Sequence, residues 1–196
     1  MVRRMPYGKL IIVTGTPGAG KTSIIDSVKA DKKYKVVNVG TIMEDIGIKR
    51  GLIKHRDEIR YLDFDTIEKF REAVFKQLAS LKGNTIVDTH MSVERKGKFV
   101  PGLPRVISKY LKGLVGIVYI DATTDELLSR RGNDKMRIRE TESQMILDMQ
   151  RMIHAAMLAY YSIQLNIPIY VIHNEENSLK ESIKAFKNAL KDMTGS

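Results

Sequence analysis

A chain of 196 residues that is 43% hydrophobic can bury one sizeable core and reads as a single domain over residues 1–196. It has no cysteine, which excludes disulfides, thiolate zinc sites and thiol nucleophiles, and it has no apolar run long enough for a membrane helix. Its formal charge of +10 points to an anionic partner, a description that nucleotides, nucleic acid and acidic membranes all meet.

Lys9–Thr14 (KLIIVT) is short, rich in β-branched residues and closed by a glycine cluster, which predicts a buried strand. Apolar Leu10–Val13 is too short for a signal-peptide core, so cytoplasmic residence is expected. Lys21–Ala30 follows as a helix with Ile24, Ile25 and Val28 inward, and Lys35–Val39 as a second strand. Thr41–Leu62 is polar and mixed and reads as short helices broken near Gly47 and Gly51. Thr66–Leu81 sets Ile67, Phe70, Val74, Leu78 and Leu81 at helical spacing before Gly83. Thr85–Val87 is a third strand that delivers Asp88 at its carboxyl end. Glu94–Pro104 (ERKGKFVPGLP), with its glycines, prolines and charges, reads as a loop.

Leu114–Ile120 is a fourth strand, and a helix begins at Thr124. Arg130–Arg139 reads as a basic loop. Thr141 and Gln144 have the spacing of a capping box and open a long helix. Along that helix Met145, Met149, Met152, Ala156 and Tyr160 form a stripe read as core or as a contact between subunits. Pro168–His173 is a fifth strand and Ser178–Leu190 a last helix. The alternation predicts an α/β fold of three layers, about five parallel strands with helices on both faces.

Gly15-Thr16-Pro17-Gly18-Ala19-Gly20-Lys21-Thr22 fits G-x-x-x-x-G-K-[ST] at every fixed position, between a strand and a helix. Glycines let the backbone come close to phosphate oxygens, and the successive amides point inward. Residues 15–22 together with Ser23 are therefore the predicted nucleoside triphosphate site, with Lys21 reaching the β- and γ-phosphates. The Thr22 hydroxyl and the Asp88 carboxylate, the latter in a Walker-B role, are the predicted holders of Mg²⁺, the one metal expected. No Asn-Lys-x-Asp tetrapeptide occurs, which disfavours a GTPase.

Asp88-Thr89-His90 after a strand, Pro101-Gly102-Leu103-Pro104, Gly40-Thr41-Ile42-Met43, Arg56-Asp57-Glu58-Ile59-Arg60 and the arginine-rich Ser129–Arg139 resemble, in their order, the archaeal-type adenylate kinases. The resemblance implies a P-loop kinase fold with a short mobile lid at about 130–140 and a short acceptor-binding helical segment at about 41–63. It implies acceptor contacts from Gly40, Thr41, Met43, Arg56, Arg60 and His90, and it makes Arg130, Arg137 and Arg139 phosphate-facing catalytic groups beside Lys21. Thr41 stands where relatives often carry aspartate. The implied reaction is reversible phosphoryl transfer from Mg·ATP to AMP, giving two ADP. The implied partners are ATP and AMP, with no membrane, no nucleic acid expected, and a trimer by analogy. Two other readings stay open: a kinase of another nucleoside monophosphate or small acceptor, and a nucleotide-gated ATPase of RNA-associated assembly.

Overall fold

The computed structural model describes residues 8–95, 97–105, 107–132 and 144–195. Lys9–Gly15 (β1) leads through a phosphate loop into Lys21–Asp26 (α1), followed by Tyr34–Asn38 (β2) and Val39–Lys49 (α2). A 3-10 turn at Arg56–Tyr61 precedes Phe64–Leu78 (α3) and Asn84–Asp88 (β3). Then come Ser92–Arg95 (β4), Lys98–Pro101 (β5), Ile107–Tyr110 (α4), Leu114–Asp121 (β6) and Thr124–Gly132 (α5). Gln144–Leu165 (α6), Ile169–His173 (β7) and Leu179–Thr194 (α7) complete the chain.

Five strands form a parallel sheet in the order β2-β3-β1-β6-β7. Successive side chains of a strand face opposite sides, so each strand feeds two cores. Leu10, Ile12, Val87, Ile117 and Tyr119 pack with Phe70, Val74 and Leu78 of α3 and Leu158 of α6. Ile11, Val13, Ile86, Val118 and Ile120 pack on the other face with Ile24 and Ile25 of α1 and Phe186 and Leu190 of α7. This is the three-layer P-loop kinase architecture expected. Among the described residues, no helix is long and apolar enough to cross a membrane.

Several local expectations are corrected. Glu94–Pro104 is not a loop throughout: β4 and β5 pair antiparallel, with Val93 opposite Val100 and Glu94 opposite Phe99. Val93, Phe99 and Val100 supply strand character that the surrounding charges hide. Gly47 does not break α2. It lies buried within it, where an added Cβ would fall 2.6 Å from Ile53 Cδ1 and 3.2 Å from the Phe70 ring. The helix expected over Lys21–Ala30 is regular only to Asp26, because the amides of Ser27, Val28 and Lys29 bond carbonyls three residues back and the Ser27 hydroxyl also takes the Ile24 carbonyl. The helix expected from Thr66 begins at Phe64, capped by Asp63, whose carboxylate accepts from the Thr66 amide at 2.8 Å.

The methionine stripe is not core. Met145, Met149, Met152 and Tyr160 are exposed, and α6 instead buries Leu147, Gln150, His154, Leu158 and Tyr161. Both stripes have helical period, and the buried one was hidden by its two polar members. Burial pushes the His154 imidazole from an ordinary 6.5 down to about 4.

Two measurements check this account. Phe70 is fully buried, so Phe70→Ala should cost about 3–5 kcal/mol in chemical denaturation at neutral pH. His154 is neutral when folded and gains its proton more readily when unfolded, so its effect on stability is level above about pH 6.5 and grows unfavourable as pH falls towards 4. Denaturation curves from pH 7 to 4 should show His154→Gln losing about 2–3 kcal/mol less than the parent over that window.

Candidate active site at the carboxyl ends of the strands

The loop after β1 lies at the switch point where β3 flanks β1 on one side and β6 on the other, the crevice in which open α/β sheets take ligands. Its course is set by backbone bonds: Thr16 N–H donates to the Ile120 carbonyl at 3.1 Å, and Ala19 N–H to the Thr16 carbonyl at 3.0 Å. Gly20, at φ +81°, opens α1 in the left-handed region, and a Cβ there would fall 2.4 Å from Asn174 Nδ2. Asn174 follows β7 and closes the loop from behind, its Nδ2 donating to the Ala19 carbonyl at 2.9 Å.

Within the predicted triphosphate site, Pro17, Gly18 and Gly20 are half-buried, whereas Thr22 and Ser23 stand exposed at the start of α1. Ala19 is wholly buried. The Thr16 side chain faces away from the crevice: its hydroxyl donates to Asp121 Oδ1 at 2.7 Å and lies 2.7 Å from the Tyr119 hydroxyl. Only the backbone of Thr16 is therefore presented to a phosphate.

Lys21 Nζ donates to Asp88 Oδ1, an ion pair whose side chains are 13% and 15% exposed and so are weakly screened. The other Asp88 oxygen accepts from Asn38 Nδ2 at 2.6 Å. Register explains the meeting, since Asp88 pairs with Val13 of β1 on one side and Asn38 of β2 on the other. Asn38 Oδ1 in turn caps α2, accepting from the Thr41 amide at 3.0 Å and the Thr41 hydroxyl at 3.3 Å. It also accepts from Arg56 at 3.4 Å. The Arg56 guanidinium lies against Gly40, where an added Cβ would come within 2.2 Å of it. Gly40, Thr41 and Arg56 thus share one corner beside the Lys21–Asp88 pair. His90 is exposed two residues beyond β3. Met43 is 7% exposed and packs in the core with Phe70, so its side chain supports the corner rather than facing it.

The first residues expected in a basic loop are helical instead. Residues 130–132 belong to α5, and Arg130 is fixed there by Glu126 at 2.6 Å and by the Asn174 carbonyl at 2.9 Å. The Nη1 of Arg130 and the Oδ1 of Asn174 are buried without a hydrogen-bond partner among the described residues. Arg130 Nη1 is also among the atoms nearest a Cβ built on Gly20. This cation backs the phosphate loop from α5. Arg137 and Arg139 lie outside the described residues, and the Arg60 side chain is likewise not described.

Thr22 and Asp88 offer a hydroxyl and a carboxylate, the oxygen donors that Mg²⁺ accepts together with water and phosphate. No cluster of three or more His, Asp or Glu able to hold a metal occurs among the described residues. Sequence reasoning missed Asn38, Asn174, Tyr119 and Asp121. The signal was available for all but Tyr119: each of the other three ends or immediately follows a parallel strand at its carboxyl end.

The family model described as AAA domain matches residues 14–147. An adenylate kinase of Thermoplasma acidophilum is 34% identical over 165 residues, 84% of this chain and 89% of that protein. An adenylate kinase of Methanopyrus kandleri is 31% identical over 192 residues, 95% of this chain and 100% of that protein. One from Methanothermobacter thermautotrophicus is 29% identical over 184 residues, covering 93% and 99%. Among solved structures, a shikimate kinase from Bacteroides thetaiotaomicron superposes with a TM-score of 0.63 at 12% identity, over 93% of this chain and 98% of that one. A gluconokinase from Sinorhizobium meliloti gives 0.55 at 17%, over 97% and 95%. Those two share the fold alone. The archaeal proteins align along almost their whole length, and on that evidence the chain belongs to the archaeal-type adenylate kinase family of P-loop kinases.

Proposed function

We propose that the protein is an adenylate kinase, moving the terminal phosphoryl group of Mg·ATP to AMP reversibly to give two ADP. One observation carries the proposal beyond kinship. The chain of contacts Lys21–Asp88–Asn38–Arg56 joins the donor loop to a second, arginine-bearing corner at the first turn of α2. Phosphoryl transfer between two nucleotides needs two anion sites that face each other, and charge stabilisation more than covalent chemistry.

In this reading the amides of residues 15–22 hold the donor phosphates. Lys21, at the junction of the two sites, follows the charge that develops on the transferring group. Arg56 takes the acceptor phosphate as a planar fork of donors, with Gly40 leaving room for its guanidinium. Thr41 and His90 belong to the acceptor side, and Arg60 is read with them on the strength of the sequence resemblance. No general base is required, because the acceptor phosphate is itself the nucleophile. Thr22 and Asp88 would hold Mg²⁺ with the nucleotide, where the ion supplies positive charge to the phosphate oxygens. Arg137 and Arg139 are read as phosphate-directed cations on the strength of the same resemblance, and Arg130 steadies the loop from behind. The chain acts as one domain in the cytoplasm, and the exposed methionine face of α6 suits contact between copies, a trimer by analogy.

An acceptor panel with ATP and Mg²⁺, scored as ADP released above a no-acceptor control, should respond to AMP well above CMP, UMP, shikimate and gluconate. A flat panel, or a stronger response to another acceptor, would overturn the assignment. Lys21→Met should lower kcat by about 10²–10³-fold with the native fold retained. Arg56→Ala should raise the KM for AMP about tenfold or more while that for ATP stays within about twofold.

A further inference from the structure

We infer that Tyr119, His154 and Ser92 are positioning residues of the donor site, a buried one-way line of hydrogen bonds from the β4–β5 hairpin to Thr16 that sets how the phosphate loop is seated. The inference rests on the reading that residues 15–22 hold ATP, and it does not depend on the acceptor. None of the three residues belongs to the phosphate loop, and each would act through Thr16.

The line is continuous and buried. Ser92 Oγ lies 2.8 Å from His154 Nε2, and His154 Nδ1 lies 3.4 Å from the Tyr119 hydroxyl, a long bond between rings set edge to face. The Tyr119 hydroxyl lies 2.7 Å from Thr16 Oγ1, and Thr16 donates to Asp121 Oδ1 at 2.7 Å. Arg151 anchors the end, its Nε donating to Asp121 Oδ2 at 3.0 Å and its Nη2 lying 2.9 Å from the same oxygen. Ser92, His154, Tyr119, Thr16 and Asp121 are all buried.

Proton counting gives the line a direction. The Asp121 carboxylate can only accept, so the single Thr16 proton goes to it and Thr16 must accept from Tyr119. The single Tyr119 proton is then spent, so His154 must carry its proton on Nδ1 and donate to the Tyr119 oxygen. Its Nε2 is left to accept from Ser92. The other neutral tautomer would set two lone pairs against each other. A depressed His154 pKa agrees with the neutral ring this arrangement needs.

A core of leucines could fill this volume without the desolvation that these polar groups suffer. What the line does is join elements distant in sequence. Ser92 begins the hairpin that starts four residues after Asp88, and its base is closed by the Gly102 amide on the Met91 carbonyl at 2.8 Å. His154 and Arg151 lie on α6, and Tyr119 and Asp121 on β6. All of them converge on the side chain of Thr16, whose backbone amide and carbonyl make the first turn of the phosphate loop.

The test uses the whole protein and a non-hydrolysable ATP analogue with Mg²⁺, titrated calorimetrically, alongside KM for AMP and thermal unfolding. Tyr119→Phe should weaken the analogue about five- to tenfold, and Ser92→Ala about two- to fivefold in the same direction, with KM for AMP within about twofold. Ser92→Thr, which keeps the hydroxyl, should restore affinity. A merely structural role would lower the unfolding temperature and leave affinity unmoved, and that result would overturn the inference. So would an effect confined to AMP, which would make Ser92 part of an acceptor wall. Should Tyr119→Phe fail to fold, the pair Ser92→Ala and Ser92→Thr decides. Analogue affinity that shifts as described in an enzyme that ignores AMP would sink the acceptor assignment and leave the positioning line standing, whereas no binding by the parent would sink both.

Discussion

Asp88 shares its two oxygens between Lys21 of the donor loop and Asn38 at the end of β2, and the rest of the site is arranged around that division. A carboxylate with one N–H donor on each oxygen is fixed in rotation and position. Such charge-assisted contacts are the stronger kind, and here they are only slightly exposed. Sheet order makes the division possible. With β3 between β1 and β2, Asp88 lies level with Asn38 at the end of β2 and with Val13 near the end of β1, so its carboxylate stands between β2 and the loop that follows β1. A shift of one residue in the register of β3 would turn Asp88 to the other face and separate the two halves of the site.

Behind this front lies a second set of contacts whose business is the seating of the loop. Asn174 and Arg130 press on the loop at Gly20, where a methyl group would collide with Asn174. Asp121 and Tyr119 hold Thr16 at the loop's opposite end. The loop is thus held at both ends from within the protein. Electrostatic stabilisation of a transition state is efficient when donors need not reorganise, and clamping provides that condition.

The helix α6 shows how apolarity can mislead about burial. Its exposed face carries methionines and a tyrosine, and its inner face carries a histidine and a glutamine among leucines. A polar side chain belongs in a core when its hydrogen bonds are met there, as His154 has Ser92 on one side and Tyr119 on the other. Those partners come from β4 and β6, distant in sequence, so no local pattern announces them.

The sequence by itself determined the strand–helix alternation, the parallel sheet, the phosphate loop with Lys21 and Thr22, and Asp88 at a strand end. Those features rest on periodicity and on short spacings, which are local. It also pointed to Gly40, Thr41 and Arg56, which the fold brings to one corner. Only the tertiary structure decided that Glu94–Pro104 pairs as a hairpin, that Arg130 is anchored in α5 behind the loop, and that Met43 serves the core. It alone revealed Asn38 as the residue that joins Asp88 to Arg56, and His154 as a core residue. The reason is physical: a hydrogen bond or a packed contact depends on which strands lie side by side, and that order is set by the burial of the whole chain, not by neighbours along it.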